Sequence, residues 1–307
     1  MRIGVALGGT KTEAVALGRA GAELARLRID TPSGGYDSLV RGIAELVAAV
    51  ESQAGLSRAG GRAPAIGIGT PGSLSPATGL MRNSNTVVLN GRALDRDLAA
   101  ALGRPVRLQN DANCFALAET MAGAAQGLDT VFGVILGTGV GGGIVSGGRV
   151  LAGHNLIAGE WGHNRLPAAA PGEFPGPPCY CGRNGCIETW CSGPAITADH
   201  ANATGEALDP PRIAARAAAG DAAAQATLER HLDRLARALA GVVNLLDPNA
   251  IVLGGGLSNL DHLRDRLAEA MRPHVFSDVF TTPILNNRLG DSAGVIGAAW
   301  LWPEGNP

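Results

Sequence analysis

The sequence feature that most constrains the fold is a pattern of strand, glycine turn and strand that occurs twice. Residues 3–10 read IGVALGGT and residues 132–139 read FGVILGTG, so each copy is an apolar strand that runs into a turn of glycine and threonine. Interpreted as a duplication, the repeat predicts two related α/β domains that face each other, each with one glycine hairpin at a shared cleft. A chance similarity between two hairpins is the alternative.

The two hairpins are candidate phosphate-binding turns. Backbone N–H groups in a glycine turn form a concave nest for an anion, and Thr10 and Thr138 add hydroxyl groups. Residues 67–72 and 137–142 also match G-x-G-x-x-G, but a turn and a strand follow them instead of the helix that dinucleotide binding requires. The opening turn is not a P-loop, because Thr10 stands where that motif has lysine. Plain tight turns are the alternative for each hairpin.

Hydrophobic periodicity predicts the main helices and strands. Apolar residues recur at helical spacing over residues 36–51, and again over residues 228–246, where the chain reaches Asp247 and Pro248 and the helix should end. Residues 250–256, AIVLGGG, are typical of a buried strand with a glycine end. A closing helix is predicted within the last residues, in SAGVIGAAWLW.

Composition limits the class of protein. Hydrophobic residues make up 46% of the 307 residues and charged residues 17%, which favours a large buried core over disorder. The net charge of -2 and the absence of a lysine or arginine run argue against a nucleic-acid binder. No apolar run reaches the ~20 residues of a membrane span, and the N-terminus lacks a signal-peptide pattern. We expect a cytoplasmic protein with reduced cysteines.

The most specific stretch of the sequence reads CYCGRNGC. Cys179, Cys181 and Cys186 bring three thiols together within eight residues, and His163 lies sixteen residues before the first of them. Three sulfur ligands and one imidazole are the donor set of a closed, tetrahedral, structural zinc site. A set of reduced core cysteines is the alternative.

Polar residues beside these motifs are candidate catalytic and sugar-binding groups. Asp111, in the sequence NDAN, follows a strand and opens a helix, so it is either a helix N-cap or a general base. Glu160 and His163 in GEWGH, and Glu188 after the last cysteine of the cluster, surround the same metal-binding segment. A metal site that positions carboxylates in this way is typical of a polyol-binding pocket.

These motifs together carry a family resemblance. LGGTKTE, NDANC, LGTGVGGG, GEWGH, CYCGRNGCIE and VLGGGLS occur in this order, and over nearly its whole length the chain resembles the ROK family of repressors, open reading frames and sugar kinases. A histidine followed by CxCGxxGCxE is highly specific to that family. The resemblance implies an α/β, actin-like ATPase (ribonuclease-H-like) fold, with two related domains around a cleft that closes on sugar and ATP. We predict a smaller N-terminal domain of residues 1–112 plus 291–307, and a larger domain of residues 113–290 that contains the zinc knuckle.

The family's functional residues map onto this chain by motif. Asp111 would be the general base, which takes the proton of the sugar's primary hydroxyl as that oxygen attacks the γ-phosphate. His163 would bind zinc through one ring nitrogen and face the sugar with the other edge. Besides Asp111, the residues implied to hold sugar hydroxyls are Asn83, Asn85, Asn110, Glu160, His163 and Glu188. The residues implied to hold the nucleotide are Gly8, Gly9, Thr10, Lys11, Gly137, Thr138, Gly139, Gly254, Gly255 and Gly256.

Within the family the chain looks most like bacterial fructokinases of the manno(fructo)kinase type. The likeness lies in GSLSPATG, LNG, GEWGHN, CYCG and the closing GAAWLWP, and related N-acetylglucosamine kinases often have phenylalanine and methionine where this chain has Trp161 and Asn164. It implies ATP-dependent phosphorylation of fructose to fructose 6-phosphate, with Mg²⁺ and structural Zn²⁺. An N-acetylhexosamine or glucose kinase is the alternative. As partners we expect a hexose, ATP and a second copy of the chain in a homodimer, and no nucleic acid or membrane.

One position departs from the family pattern. The family usually has an aspartate where this chain has Ala6, and that aspartate helps to hold Mg²⁺ near the phosphates. Three interpretations remain open: a natural enzyme with slower catalysis, a residue introduced to trap a complex, or a sugar-binding sensor that no longer transfers phosphate. Asp111 and both hairpins are intact, so we expect a kinase. A repressor is not expected, because the family's repressors carry a helix-turn-helix ahead of the sugar domain and the first hairpin here begins at residue 3.

Overall fold

The computed structural model describes residues 1–56 and 64–302, which fall into two compact units. Unit 1 contains Met1–Gly127, Gly143–Ala158 and Arg288–Pro307, and unit 2 contains Leu128–Gly142 and Gly159–Asn287. The domain bounds expected from the sequence, 1–112 plus 291–307 and 113–290, stay a prediction, and residues 303–307 lie outside the described part of the chain.

Twelve β-strands lie within residues 1–56 and 64–302. In chain order they are β1 (Arg2–Leu7), β2 (Lys11–Leu17), β3 (Glu23–Asp30), β4 (Ala65–Thr70), β5 (Ser73–Leu74), β6 (Met81–Arg82), β7 (Val106–Asn110), β8 (Thr130–Leu136), β9 (Val140–Ser146), β10 (Arg149–Val150), β11 (Ala250–Gly254) and β12 (Ile284–Asn286).

Nine α-helices accompany these strands in the same described ranges. They are α1 (Tyr36–Gln53), α2 (Leu94–Leu102), α3 (Asp111–Met121), α4 (Glu188–Cys191), α5 (Gly193–Thr204), α6 (Pro210–Ala218), α7 (Ala222–Leu246), α8 (Asp261–Met271) and α9 (Ala293–Trp300). Among the residues that the structure describes, no helix combines the length and the apolar character needed to cross a lipid bilayer.

Two five-stranded sheets share one strand arrangement. The first has the order β3-β2-β1-β4-β7 and the second has the order β10-β9-β8-β11-β12. In the first sheet, β1 pairs antiparallel with β2 and parallel with β4, and β4 pairs parallel with β7. In the second, β8 pairs parallel with β11, and β11 pairs parallel with β12. The matching orders confirm the two related α/β halves that the repeated hairpin predicted, in an actin-like fold.

In unit 1 the alternation of side chains along β1 separates two apolar layers. Ile3, Val5 and Leu7 are buried in one cluster with the apolar face of α1, which is the helix predicted at residues 36–51. Gly4 faces the other layer, where a Cβ atom would lie 2.1 Å from the carbonyl oxygen of Val295 in α9. Glycine at this position therefore lets α9 pack directly on the strand.

In unit 2 the long apolar helix is α7, as its leucine spacing predicts. Its N-cap is Asp221, whose side chain accepts hydrogen bonds from the backbone of Ala223 and Ala224. The helix ends at Asp247, where φ is 44° and the backbone turns left-handed. Pro248 follows and cannot continue a helix, so the predicted stop is confirmed.

A buried ion-pair network ties the segment before the cysteine cluster to α7. Glu173 accepts hydrogen bonds from Arg234 Nε at 2.8 Å and from Arg237 Nη2 at 2.9 Å. Arg237 also donates to the carbonyl oxygens of Pro167 and Ala168, at 3.0 and 2.9 Å. The two arginine side chains are only 8% and 5% exposed. Loss of one partner would therefore leave a buried charge unpaired, which is far costlier than loss of a surface pair.

A buried carboxylate joins two segments of unit 1. Glu119 in α3 is fully buried and accepts hydrogen bonds from the backbone N–H of Ala124 at 2.7 Å and of Leu289 at 2.9 Å. The backbone N–H of Arg288 lies 3.1 Å from both of its oxygens. Backbone donors of this kind stabilise a carboxylate. The contact fixes the end of α3 against the turn that leads to α9.

Candidate active site and metal centre

The structure brings together the four residues that the sequence predicts as metal ligands. One ligand atom from each of His163, Cys179, Cys181 and Cys186 lies within 4.8 Å of every other. The Sγ atoms of Cys181 and Cys186 are 3.6 Å apart, and Cys179 Sγ is 3.6 Å from His163 Nδ1. Two isolated β-bridges, Arg165–Cys186 and Pro178–Asn184, close the segment around this cluster.

These distances match the edges of a tetrahedral zinc site. Zinc bonds of about 2.3 Å to sulfur and about 2.0 Å to nitrogen give tetrahedral edges of about 3.8 Å between two sulfurs and about 3.5 Å between sulfur and nitrogen. The observed separations of 3.6 Å agree with both values to within about 0.2 Å. The donor set of three thiols and an imidazole therefore fits Zn²⁺, with Nδ1 as the ligand atom of His163.

The cysteines of the cluster lie in different electrostatic surroundings. A hydrogen bond from Arg183 lowers the pKa of the exposed Cys181 thiol to about 6. Burial raises the pKa of Cys186 to about 12. Cys181 is therefore the thiolate that is ready to bind a cation at neutral pH, whereas Cys186 must lose its proton as the metal binds.

The second ring nitrogen of His163 faces a tyrosine. His163 Nε2 lies 2.9 Å from the hydroxyl oxygen of Tyr180, and the two rings meet edge to face with centroids 5.1 Å apart. The Tyr180 ring is largely exposed, whereas its hydroxyl lies against His163. Partial burial of that hydroxyl, followed by the negative charge of Glu188, raises the pKa of Tyr180 to about 12, and Glu160 contributes in the same direction. The phenol is therefore protonated at neutral pH.

Glu188 contacts the second glycine hairpin, which joins β8 to β9. Its Oε2 atom accepts a hydrogen bond from the backbone N–H of Val140 at 2.9 Å. A Cβ atom on Gly139 would lie 2.6 Å from the same oxygen, so a larger residue there would displace the Glu188 carboxylate from its present position. The backbone N–H of Gly137 closes the turn on the Gly139 carbonyl at 3.0 Å, and Gly193 N–H donates to the carbonyl of Gly137 at 2.8 Å. Unit 2 thus places a carboxylate beside a predicted phosphate-binding turn.

Trp161 supports the strand that follows this hairpin. Its indole N–H donates to the carbonyl oxygen of Gly141 at 3.0 Å, and its ring lies edge to face on Phe132 with centroids 5.6 Å apart. A phenylalanine at this position has no N–H to donate. Glu160 and His163 flank Trp161 in the same short helical turn, where Glu160 is exposed.

The first glycine hairpin, in unit 1, is held by its neighbour β3. The backbone N–H of Gly8 donates to the carbonyl of Lys11 at 3.0 Å, and the hydroxyl of Thr31 donates to the Gly8 carbonyl at 2.8 Å. The Lys11 ammonium forms an ion pair with Asp30. Gly9 and Thr10 at the tip are exposed, as a turn that binds a ligand must be.

Asp111 is the first residue of α3, directly after β7. The N-cap of this helix is Asn110, whose side chain accepts a hydrogen bond from the backbone N–H of Ala112 at 2.9 Å. The Asp111 carboxylate is exposed, and its Oδ1 accepts from the same N–H at 2.8 Å. Gln109 braces the corner, because its Oε1 atom accepts from the Asn110 N–H at 2.9 Å and from the Asn113 side chain at 3.1 Å.

A paired amide fixes the segment that carries Asn83 and Asn85. The Asn90 side chain accepts from the backbone N–H of Ser84 and donates to the Ser84 carbonyl, both at 2.9 Å. Both Asn83 and Asn85 are exposed on either side of the buried Ser84, and Asn83 has a left-handed φ of 57°. The backbone that presents these two amides is thus set by Asn90.

The remaining predicted nucleotide residues lie at the end of β11. Gly254 is the last residue of this strand, and Gly255 follows with a left-handed φ of 80°. A Cβ atom on Gly255 would lie 2.3 Å from the carbonyl oxygen of Leu136, so the turn requires glycine. Ser258 donates to the Gly255 carbonyl at 2.7 Å and holds the turn from the other side.

Ala6 lies near the end of β1 on the face that packs against α9. It pairs with Glu13 across the antiparallel ladder and with Gly69 across the parallel one. Its Cβ atom is 3.9 Å from the place of a Cβ on Gly294. The nearest acidic neighbour along the ladder, Glu13, is 6% exposed, and its two oxygens bind Arg26 at 2.6 Å and Arg28 at 2.7 Å. The carboxylate beside Ala6 is therefore already neutralised.

The predicted site residues thus fall into two groups. Unit 1 holds Gly8, Gly9, Thr10, Lys11, Asn83, Asn85, Asn110 and Asp111; unit 2 holds Gly137, Thr138, Gly139, Glu160, His163, Cys179, Cys181, Cys186, Glu188, Gly254, Gly255 and Gly256. Sequence reasoning missed Tyr180, Gln109 and Asn90. Tyr180 alone had a local signal, since it is an aromatic residue placed between two predicted metal ligands.

The chain is similar to known sugar kinases in sequence and in fold. The chain is 38% identical to an N-acetyl-D-glucosamine kinase of Escherichia coli O1:K1 / APEC, over 98% of this chain and 99% of that protein. It is 36% identical to the ROK hexokinase of Thermus thermophilus, with a TM-score of 0.86 over 98% and 97% of the two chains. It is 30% identical to a ROK family glucokinase from Streptomyces griseus, solved with glucose and AMPPNP, with a TM-score of 0.71 over 97% of each chain.

The two matching sheets, the paired glycine hairpins and the cluster of three cysteines and a histidine define an actin-like α/β protein with a candidate metal-binding segment. The family model described as the ROK family matches residues 2–305. The chain belongs to the ROK family.

The metal centre makes the first testable prediction. Elemental analysis of the purified protein should give about one zinc per chain, and a chelator should lower the melting temperature, because binding free energy of the ion is coupled to folding. In Cys181→Ser both the zinc content and the chelator-induced shift should fall. Folded, metal-free protein with a melting temperature that chelation leaves unchanged would refute the zinc assignment.

Proposed function

We propose that the chain is an ATP-dependent sugar kinase that transfers the γ-phosphoryl group of ATP to a hexose, with fructose as the preferred acceptor and fructose 6-phosphate as the product. The observation that carries the kinase proposal is the match to the ROK family over residues 2–305, together with the retained Asp111 and both glycine hairpins. The relatives named N-acetyl-D-glucosamine kinase, hexokinase and glucokinase support a hexose as the acceptor.

In this proposal Asp111 is the general base. It accepts the proton of the sugar's primary hydroxyl as that oxygen attacks the γ-phosphorus and the bond to the bridging oxygen of ADP breaks. An exposed carboxylate at the start of a helix suits this role, because it can reach a substrate and is fixed by a backbone hydrogen bond. Phosphoryl transfer otherwise needs positioning and charge neutralisation, which Mg²⁺ bound to ATP supplies.

The sugar and nucleotide contacts follow the same proposal. Carboxylates of Glu160 and Glu188 accept hydrogen bonds from sugar hydroxyls, and the amides of Asn83, Asn85 and Asn110 can both donate and accept. Backbone N–H groups and hydroxyls of the two hairpins bind the phosphates, and the turn after β11 lies near the adenosine. The three cysteines and His163 would hold Zn²⁺ in a structural role, and that bond would orient the His163 ring.

Fructose is preferred over an N-acetylated hexosamine because of the residues around His163. The chain has Trp161 and Asn164 where N-acetylglucosamine kinases of the family often have phenylalanine and methionine. The Trp161 indole N–H donates to a carbonyl in the strand after the second hairpin. Replacing Trp161 would therefore shift the backbone next to the proposed sugar-binding residues Glu160 and His163. An N-acetylhexosamine or glucose kinase is the rival assignment, and the 38% identity to an N-acetyl-D-glucosamine kinase favours it.

Ala6 is the observation behind a second candidate function. Without a carboxylate at this strand end, and with Glu13 neutralised by two arginines, the hairpin face of β1 offers Mg²⁺ no unpaired carboxylate among these residues. The other predicted site residues are equally compatible with a sensor that binds a hexose but does not transfer phosphate. The two functions differ in whether ADP is released.

The acceptor assignment is tested by a coupled assay for ADP release with fructose, mannose, glucose and N-acetylglucosamine, beside calorimetric binding of each sugar. We expect the highest kcat/KM with fructose, and weaker activity with mannose or glucose. A higher kcat/KM for N-acetylglucosamine than for fructose would overturn the fructose assignment and leave the kinase assignment standing. Sugar binding with no ADP release for any acceptor would instead support the sensor.

Asp111→Asn tests the general base. The amide keeps the shape of the side chain but cannot accept the proton, so kcat should fall by roughly 10² to 10⁴, with far less change in sugar affinity. Asp37→Asn is a matched control, because Asp37 is also an exposed acid in the first turn of a helix. Both variants lose a favourable interaction with a helix dipole, but only Asp111→Asn should lose activity. Full activity in Asp111→Asn would show that Asp111 has a structural role.

Ala6→Asp tests the missing carboxylate. A fixed negative charge at this strand end would orient the magnesium ion. By analogy with other preorganised electrostatic groups, such a charge changes kcat by about 10²- to 10³-fold. We expect kcat to rise at least about tenfold and the Mg²⁺ concentration for half-maximal rate to fall, with fructose binding nearly unchanged. The measurement is a magnesium titration of phosphoryl transfer.

The control for this change is Ala6→Asn, which has nearly the same volume as Ala6→Asp without the charge. It should behave like the unchanged protein in the same titration. If Ala6→Asp and the unchanged protein have equal rates and equal magnesium dependence, the chain positions its metal in another way and the interpretation of Ala6 is wrong.

A further inference from the structure

The corner that presents Asp111 is closed by the side chain of Gln109, the last residue but one of β7. Its Oε1 atom accepts two hydrogen bonds, from the backbone N–H of Asn110 at 2.9 Å and from the side-chain nitrogen of Asn113 at 3.1 Å. The first donor belongs to the N-cap residue of α3, and the second to the first turn of that helix. One amide oxygen therefore joins the end of the strand to the start of the helix, on either side of Asp111.

The direction of these bonds follows from the backbone. An N–H group can only donate, so the atom of Gln109 that faces the N–H of Asn110 must be the oxygen. The group of Asn113 that contacts the same oxygen must then be its NH₂. In the described part of the chain the other end of that amide, Asn113 Oδ1, is buried without a hydrogen-bond partner. The Asn113 side chain is 6% exposed, and its printed polar contact is the one to Gln109.

A buried amide with one unpaired end is a poor choice for stability alone. Burial of a polar group without a hydrogen bond costs free energy, and a leucine of the same branched shape would avoid that cost at position 113. Natural sequences tend to break such rules at functional sites. The proposed catalytic group nearest in the chain is Asp111, two residues before Asn113 and in the same helical turn.

The hydrogen bonds of the corner show why it needs to be held. The backbone N–H of Ala112 is shared by two oxygens, Asn110 Oδ1 at 2.9 Å and Asp111 Oδ1 at 2.8 Å. A small rotation of the helix start would let one oxygen take this N–H alone and would redirect the Asp111 carboxylate. Proton transfer to that carboxylate requires the sugar hydroxyl at about 3 Å and in line with it, so a loose corner would slow the reaction.

We infer that Gln109 is a positioning residue for phosphoryl transfer: by binding Asn110 and Asn113 it fixes the corner from which Asp111 meets the sugar hydroxyl. The inference rests on the proposed function, in which Asp111 is the general base. Gln109 acts through Asp111 without a contact of its own to the sugar, so it sets the rate of transfer and leaves hexose affinity nearly unchanged. Displacement of a positioned group by about 1 Å can cost about 10² in rate.

The first test is Gln109→Met in the full-length protein, with the hexose that gives the highest kcat/KM. Methionine has a similar length but no strong acceptor, so both donors lose their partner. We expect kcat, measured by ADP release, to fall about ten- to a hundredfold. The Kd for the hexose, measured by calorimetry, should change by less than about threefold, because the proposed sugar-binding side chains remain. An unchanged kcat would overturn the inference.

A second variant separates positioning from general stability. Gln109→Met leaves the buried NH₂ group of Asn113 without an acceptor, so the melting temperature should fall. In Gln109→Met/Asn113→Leu both partners are apolar, which should restore most of the melting temperature but not kcat. Recovery of kcat together with the melting temperature would show that the single variant lost activity through lost stability, and the positioning role would be wrong.

Asn244→Leu is the matched control. The Asn244 side chain also holds a turn through two contacts: it donates to the His274 carbonyl at 3.1 Å and accepts from the Phe276 N–H at 2.8 Å. Neither partner is a predicted site residue. This change should lower the melting temperature and leave kcat within about twofold. A loss of kcat as large as that in Gln109→Met would show a general effect of lost amide contacts and would contradict the inference.

A double-mutant cycle with Asp111→Asn shows whether Gln109 acts through Asp111. In a chain that already carries Asp111→Asn, the change Gln109→Met should lower kcat by less than about twofold, because the group that it positions is gone. Losses that add in full would mean that Gln109 acts on another step, and the inference would fail. The cycle needs no change at Asn113, so it decides the matter even if the variant with Asn113→Leu does not fold.

The same rates separate this inference from the proposed function. A loss of kcat in Asp111→Asn with an unchanged kcat in Gln109→Met refutes the positioning role and leaves the kinase and its base intact. Full activity in Asp111→Asn refutes the base, and with it the action of Gln109 through that base, in a chain that is still a kinase. If the unchanged protein releases no ADP with any hexose, the kinase proposal and this inference are both wrong.

Discussion

The orientation of the His163 ring is the constraint on which the chemistry of unit 2 depends. An imidazole can offer Nε2–H to a ligand in a fixed direction only if its other nitrogen is held, and here Nδ1 lies 3.6 Å from Cys179 Sγ, beside the cluster of three thiols. Three thiolates and Zn²⁺ carry a net charge of about −1, which Arg183 beside Cys181 offsets. In the proposed function, a metal ion held by these residues would orient the second ring nitrogen of His163, and loss of the ion would release both the ring and the loop.

Contacts between residues distant in sequence hold the segment that carries His163 and the cysteines in place within unit 2. The ion pairs of Glu173 with Arg234 and Arg237 hold the chain between His163 and the cysteines against α7. Glu188 begins α4 directly after the cluster, and its carboxylate accepts a hydrogen bond from the backbone of the second hairpin. One segment of the chain therefore links the candidate metal site, the carboxylate of Glu188 and the second glycine hairpin. Small displacements of such a segment have large effects on positioned groups.

Local sequence patterns were enough to predict the parts of the structure that depend on short spacing. The glycine hairpins, the helices α1 and α7 and the cysteine cluster each have their signal within about twenty residues. The contacts of Glu119 with Leu289 and of Glu173 with Arg237 had no such signal, because each joins residues 64 or more positions apart. Gln109 and Asn90 lack a signal for a different reason: their contacts are local, but an amide that binds nearby backbone groups leaves no distinctive motif.

The position of Ala6 separates two tasks that a kinase of this fold combines. In the proposed mechanism, proton transfer depends on Asp111, which opens α3, whereas the family resemblance implies that orientation of the magnesium ion depends on the end of β1. In this chain the first group is retained and the second is absent. Glu13 cannot take over, since turning its carboxylate toward β1 would break bonds to Arg26 and Arg28 and leave partly buried guanidinium groups unpaired. The sheet thus keeps its fold and the proposed proton acceptor without a carboxylate at position 6. In the proposed mechanism this position therefore sets the rate of phosphoryl transfer and leaves sugar recognition unchanged.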